Sequence, residues 1–273
     1  MSEAEIIANT PDPRTRQSLT KDLKQLGIEP GMTLLVHSSL SAIGWVNGGP
    51  ITVIQALQDA LAPDGTLVMP THSTDLSDPA LWENPPVPEP WWAIIRKTMP
   101  PFNPISTPTR GMGRIPENFR TMTGVMRSYH PAMSFSAIGP HARYITADHP
   151  LDYPLGEESP LARIYALNGW VLLLGVGYNS NTSFHLAEYR VPNPPTEQLG
   201  APLTKDGKHT WITYQDVKLN ADPFKALGEG FEKETDVVRG KVGSAPSRLF
   251  PLRQAVDYAA QWMRKRERKS DLT

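Results

Sequence analysis

The chain has 273 residues, a formal net charge of −1 and a sequence pI near 6.7. That length suits one large domain, taken here as residues 1–273, and the balanced charge argues against a nucleic-acid binder. No cysteine is present, which excludes a cysteine nucleophile, disulfides and thiolate metal ligands. The start, "MSEAEIIANTPDPRTRQ", has no apolar leader, and no run approaches the ~18 apolar residues of a membrane span. The expectation is a cytoplasmic, soluble chain without a membrane partner, as a monomer or homodimer.

In chain order, "LTKDLKQLGIEPGMTLLVHSSL" reads as helix, turn and strand. Leu19, Leu23 and Leu26 share one helical face, Gly27 ends the helix, and "TLLVHS" is an apolar strand. "GGPITVIQALQDALAPDGTLVMPTHS" repeats the order, with Pro50 in the first helical turn, a helix to about Leu61, a turn at Pro63-Asp64-Gly65 and the strand "TLVMP". "SPLARIYALNGWVLLLGVG" is a third copy. Apolar strands alternating with helices predict a layered α/β sandwich around a mostly parallel central sheet.

Residues 76–110 interrupt that order. Their prolines, with Trp82, Trp91 and Trp92, cannot form one long helix. They read as an excursion that is anchored to the core by its tryptophans and lines a substrate cleft. Near the end, "KHTWITYQDVKLN" alternates as a strand, followed from about Asp222 by a helical part interrupted at "GKVGSAP". The basic run "RKRERKS" reads as a solvated helix end.

Ligands of open α/β sheets bind beyond the carboxyl ends of strands. Three such ends carry polar clusters: His37-Ser38-Ser39, Thr71 to Asp75, and Tyr178 to His185. A helix starting at Asn181 or Thr182 puts His185 in its first turn, where the positive helix end favours a neutral imidazole able to accept a proton. Glu188, three residues on, shares its face and can orient the ring. A packed or capping histidine is the competing reading. Arg127 with Ser128 can hold an anionic group such as a phosphate, or be a solvated loop residue.

The rival chemistry is a metal-dependent hydrolase built on His37, His72, His130 and His185 with Asp75 and Glu188. Against it, there is no H-E-x-x-H and no close histidine pair, so no metal is expected. G-x-S-x-G, G-x-G-x-x-G and Walker A motifs are also missing.

The segments "LLVHSSLSAIGWVNGG", "DGTLVMPTHSTDLSDPALW", "TPTRGMG", "RSYHPAMSFSAIG", "SPLAR", "VLLLGVGYNSNTSFHLAEYR" and "YQD" follow one another as in aminoglycoside 3-N-acetyltransferases. The resemblance runs from about residue 15 onward. It implies acetyl transfer from acetyl-CoA to the 3-amino group of a 2-deoxystreptamine aminoglycoside, and so antibiotic resistance; another small amine is the alternative acceptor. It further implies His185 as base, with Asp216 as its carboxylate partner and Glu188 as the alternative. Asp75, or Asp78 after a shift in alignment, would contact substrate amines, with Asp216 and Glu188 adding negative charge. The loop His37, Ser38, Ser39 and Leu40 would cradle the coenzyme pyrophosphate. The segments holding Thr109 and Met112, and Ser134 and Phe135, would line the pantetheine channel. Without cysteine, the amine must attack the thioester directly, with backbone N–H groups at Ser38-Ser39 or a hydroxyl near Thr182 as oxyanion donors.

Overall fold

The structure, a computed structural model, describes residues 2–270, with side chains through Arg266. After a short helix α1 (Glu3–Ala8), α2 (Arg16–Gln25) opens on a reciprocal Thr15–Ser18 cap and buries Leu19 and Leu23. Strand β1 (Thr33–Ser38), one turn of helix α3 (Leu40–Ile43), α4 (Gly49–Leu61) and β2 (Thr66–Pro70) follow. Next come α5 (Glu89–Thr98), α6 (Arg114–Phe119), β3 (Met126–Arg127), β4 (Phe135–Ile138), α7 (Ala142–Thr146), α8 (Pro160–Ala166) and β5 (Trp170–Leu174). The last third holds α9 (His185–Glu188), β6 (Thr196–Lys205), β7 (Lys208–Val217), α10 (Phe224–Glu234), β8 (Val238–Val242), β9 (Ala245–Pro251) and α11 (Leu252–Ser270). No helix among the described residues is long and apolar enough to cross a membrane.

Seven strands form the central sheet in the order β3-β4-β2-β1-β5-β9-β8. The three strands read first from sequence, β2, β1 and β5, pair in parallel at its centre, and antiparallel strands complete both flanks. Side-chain alternation sorts these apolar strands into two cores. Leu34, Val36, Leu67, Leu172 and Leu174 pack with Leu19, Leu23 and Leu57 on one face. Leu35, Val68, Val171 and Leu173 pack with Phe184, Phe231, Phe250 and Val256 on the other. The result is helix, sheet and helix in three layers.

Two regions differ from the sequence expectation. The interruption at "GKVGSAP" is the tight connection of the β8–β9 hairpin, and β9 pairs with β5 across residues Trp170–Leu174. Residues at Ala245, Ser247, Leu249 and Phe250 are buried, so this part of the "helical" end completes the sheet. In the excursion, Trp91 is exposed and neither Trp82 nor Trp92 is buried. Its anchor is Phe102, buried, whose N–H donates to the Pro202 carbonyl of β6. The β6–β7 hairpin is a separate two-stranded sheet, and α5 packs against β7.

The excursion is also tied down by Arg127. This residue does not face an open anion site. Its guanidinium donates to the carbonyls of Thr71 (2.6 Å), Thr107 (2.6 Å) and Pro104 (3.3 Å), and to the hydroxyls of Ser134 (3.0 Å) and Ser73 (2.8 Å). It lies 5.0 Å from the Phe102 ring centroid. Burial lowers it to about 10, which leaves it a cation at neutral pH. Arg127 thus clamps the excursion to the ends of β2 and β4. Arg127→Met should destabilise the fold by at least ~3 kcal/mol in urea unfolding, since each stranded buried carbonyl costs roughly 1–3 kcal/mol. Affinity for coenzyme A should hold in the folded fraction; a tenfold loss of affinity at unchanged stability would restore the anion-site reading.

Candidate active site

Strand β1 lies between β2 and β5, so the chain leaves it in opposite directions on its two sides. Such a switch point opens a crevice beyond the strands' carboxyl ends. A cavity of about 1070 Å³ lies there, at the top of the ~300–1,000 Å³ range of small-molecule sites. All three polar strand ends contribute to it: His37 and Ser38 at the end of β1 with Ser39 and Leu40 beyond it, His72 after β2, and Asn179 to Thr182 with His185 after β5. Register explains the meeting, because Ser38 pairs with Leu174 in parallel and the two loops leave side by side.

The turn after β5 builds the histidine position. Asn181 caps a short 3₁₀ turn, Thr182–Phe184, and accepts from the Ser183 N–H. His185 then opens α9. Its Nδ1 lies 2.5 Å from Glu188 Oε2, and the Asn220 N–H donates to Glu188 Oε1 at 2.8 Å. A carboxylate accepts only, so Nδ1 carries the hydrogen and Nε2 of the neutral ring keeps its lone pair. The ring also packs 4.7 Å from the Phe224 ring, centroid to centroid.

The other cavity histidines differ. Burial, reinforced by the nearby His185, lowers both His37 and His72 to about 3. Both are neutral at physiological pH, and neither has a carboxylate partner. Their buried Nε2 atoms, Ser38 Oγ and Asn181 Nδ2 have no hydrogen-bond partner. His130 lies apart from them: its Nδ1 accepts from the N–H groups of Ala132 and Met133, and its Nε2 lies 3.2 Å from the Leu151 carbonyl. Among the described residues no three of His, Cys, Asp and Glu are grouped to hold a metal ion.

Several residues singled out from sequence lie elsewhere. Asp216 is buried and accepts from the Tyr189 hydroxyl at 2.5 Å and from its neighbour's N–H at Val217. It makes no hydrogen bond to His185; Glu188 fills that place. Asp75 is exposed, 3.3 Å from Arg110, and outside the cavity lining, while Asp78 pairs with Arg96 at 2.7 Å. Thr109 donates through both its N–H and hydroxyl to Glu117. Ser134 donates to the Thr71 carbonyl, and Phe135 is buried within β4. Of the two channel segments only the first reaches the cavity, through Gly111, Met112 and Gly113; beside the second, Met133 does, and no residue of 76–110 does. The Ser39 N–H is already used by the Leu174 carbonyl, which removes it as an oxyanion donor.

The sequence reading missed Trp45, Arg114, Leu219 and the helix α1 residues Glu3 and Ile6, all on the cavity wall. These arrive from four separate segments, and no local spacing links them. Asn181 carried a signal, being a buried helix-capping position one turn before the histidine.

Asp216 gives this region a pH signature. Burial raises it from 3.8 to about 6 against the stabilising bond from Tyr189. The native state therefore binds this proton more tightly than the unfolded chain. Relative to Asp216→Asn, the wild type should gain stability as pH falls through 6 and reach its full gain below 3.8. Urea unfolding of both proteins between pH 7.5 and 4 would show converging or crossing curves; parallel curves would contradict the buried carboxylate.

The fold and sequence are similar to those of known proteins. The family model for aminoglycoside 3-N-acetyltransferase matches residues 35–264. The SPbeta prophage-derived aminoglycoside N(3')-acetyltransferase-like protein YokD of Bacillus subtilis (strain 168) is 52% identical over 94% of this chain and 95% of its own. Its crystal structure superposes with a TM-score of 0.96 at 50% identity, covering 97% of this chain and 99% of that one. Aminoglycoside N(3)-acetyltransferase VIII of Streptomyces fradiae is 37% identical over 97% of both chains. A structure of AAC-IIIb as a binary complex with CoASH has a TM-score of 0.84 at 32% identity, covering 93% of this chain and 98% of that one. With a family match across most of its length and relatives this similar, the chain belongs to the aminoglycoside 3-N-acetyltransferase family.

Proposed function

We propose that this protein transfers the acetyl group of acetyl-CoA to the 3-amino group of a 2-deoxystreptamine aminoglycoside, which confers antibiotic resistance. The carrying observation is the His185–Glu188 pair, 2.5 Å apart, with His185 on the wall of a cavity lined by the serine loop after β1. The cavity also has the apolar side chains suited to a pantetheine arm, among them Leu40, Met112, Met133 and Val176. Its volume, and four polar atoms at its wall without protein partners, fit a ligand with an extended polar chain.

The amine reaches the site mainly as ammonium and must lose a proton to become a nucleophile. His185 takes it at Nε2, while Glu188 holds the ring and stabilises the imidazolium through Nδ1. The amine lone pair attacks the acetyl carbonyl carbon, and the carbonyl π pair moves onto oxygen. Collapse forms the N-protonated amide and expels the coenzyme sulfur as thiolate; the thiolate takes up the proton held on His185, and the freed Nε2 then takes the remaining proton from the amide nitrogen and releases it to solvent. The absence of cysteine supports direct attack, since no enzyme thioester can form. Asp75 is the carboxylate exposed for a second substrate amine: its pairing with Arg110 is solvent-exposed, and such a pair is worth only ~0–1 kcal/mol. Asp216 and Glu188 are engaged within the protein and act on substrate only at a distance.

Incubation with acetyl-CoA and an aminoglycoside panel, read by release of free thiol and by mass of the product, tests this reading. Acetyl-CoA binding without acetylation of any panel member would move the acceptor to another small amine. His185→Ala should lower kcat at least ~10²-fold, and Glu188→Gln should lower kcat with little change in acetyl-CoA KM. A His185→Ala enzyme with a near-wild-type rate would remove the base.

A further inference from the structure

Among the described residues, six side-chain polar atoms are buried without a hydrogen-bond partner. Four of them, on His37, Ser38, His72 and Asn181, belong to residues of one cavity wall. Buried polar groups are paired in the great majority of cases, so a cluster of exceptions around one cavity calls for a ligand that completes them. Asn181 is the most informative. Its side chain is fully buried, and its Oδ1 accepts from the Ser183 hydroxyl at 2.7 Å and the Ser183 N–H at 3.3 Å. That pairing fixes the amide orientation, because the N–H can only donate. The two N–H bonds of Nδ2 are then left over.

Asn181 is also held rigidly beside the base. Its carbonyl accepts from the Phe184 N–H at 3.2 Å, so one 3₁₀ turn joins it to His185. Ser38 arrives from the other side of the same wall, at the end of β1. Its Oγ is the second unpaired atom that can donate without any change of ring tautomer. The competing backbone donor, Ser39 N–H, is consumed by Leu174.

We propose that the Asn181 side-chain amide, with the Ser38 hydroxyl as second donor, forms the oxyanion pocket of the reaction. This rests on the acetyl-transfer reading above. As the amine attacks, the carbonyl π pair moves to oxygen, and Nδ2–H and Oγ–H donate to the resulting oxyanion. When the C–S bond breaks, the pair returns and the amide carbonyl forms. Donors placed in advance cost no reorganisation at that moment. A side-chain amide of this kind also leaves a spectroscopic trace, because it polarises the thioester carbonyl before any amine is present.

Asn181→Asp keeps the oxygen that holds Ser183 and removes the donor. Its kcat should fall ~10²–10³-fold, with acetyl-CoA KM close to wild type. Infrared difference spectra with acetyl-CoA carrying carbon-13 at the carbonyl should show a red-shifted band on the wild type and a band near its solution position on Asn181→Asp. Ser38→Ala should give a partial loss of both signals, and it stands in if the Asp variant does not fold. An unshifted band on the wild type, or Asn181→Asp turnover within threefold of wild type, overturns the proposal. Acetyl-CoA that binds with an unshifted carbonyl refutes the oxyanion pocket alone, whereas failure of acetyl-CoA to bind at all refutes the functional reading beneath it.

Discussion

The parallel pairing of β1 with both β2 and β5 is the constraint on which the rest depends. It sends three chain segments out of the sheet at one edge and opens the crevice between them. Register is fixed because both sheet faces are buried. Leu34 and Val36 enter one core and Leu35 the other, and a slip by one residue would exchange every pair. The core thereby also sets the site, since the same register places Ser38 opposite Leu174. The serine loop and the histidine turn meet because leucines and valines on both faces admit one alignment.

Within that frame, one histidine is distinguished by what surrounds it. Among the described residues three histidines border the cavity, and of these only His185 has a carboxylate on its ring. Burial holds His37 and His72 near 3, so neither competes for a proton released at neutral pH. The acidic side chains nearby are mostly committed: Glu117 to Arg120, Asp78 to Arg96, Asp216 to Tyr189. This is why the proposed mechanism gives the proton leaving a bound amine to His185.

Sequence periodicity showed the helix–strand units that build the sheet centre, because apolar runs of five or six residues bounded by turns survive in any tertiary context. It did not show the β8–β9 hairpin, since β8 is largely exposed and carries little apolar signal. At the site, His185, Glu188, the serine loop and Met112 were visible as local patterns. Arg127, Ser134 and Thr109 were misread because a polar loop looks the same whether it binds a ligand or its own backbone. Only the fold shows the guanidinium surrounded by carbonyls. Which carboxylate lies against His185 likewise depends on three-dimensional reach: Glu188 is hydrogen-bonded to its ring, while Asp216 is bonded to Tyr189, which follows Glu188 directly in the chain.

The helix that carries His185 also differs in kind from the one read in sequence. A four-residue helix after a 3₁₀ turn cannot hold itself in place, because helix nucleation costs more than so few hydrogen bonds return. Its position rests instead on aromatic packing. Phe184 stacks on Tyr178 and meets Phe224 edge-on, and Phe231 and Phe250 close the group. Phe224 then reaches from beneath to the His185 ring itself. The unpaired donors at Ser38 and Asn181 lower stability, by roughly 1–3 kcal/mol for each buried group left unsatisfied. A loop free to move would relieve that cost by turning them to water. The aromatic cluster around Phe184 holds the turn of Asn181, and the pairing with Leu174 holds Ser38, so the same packing that positions His185 also keeps these groups unpaired within the protein.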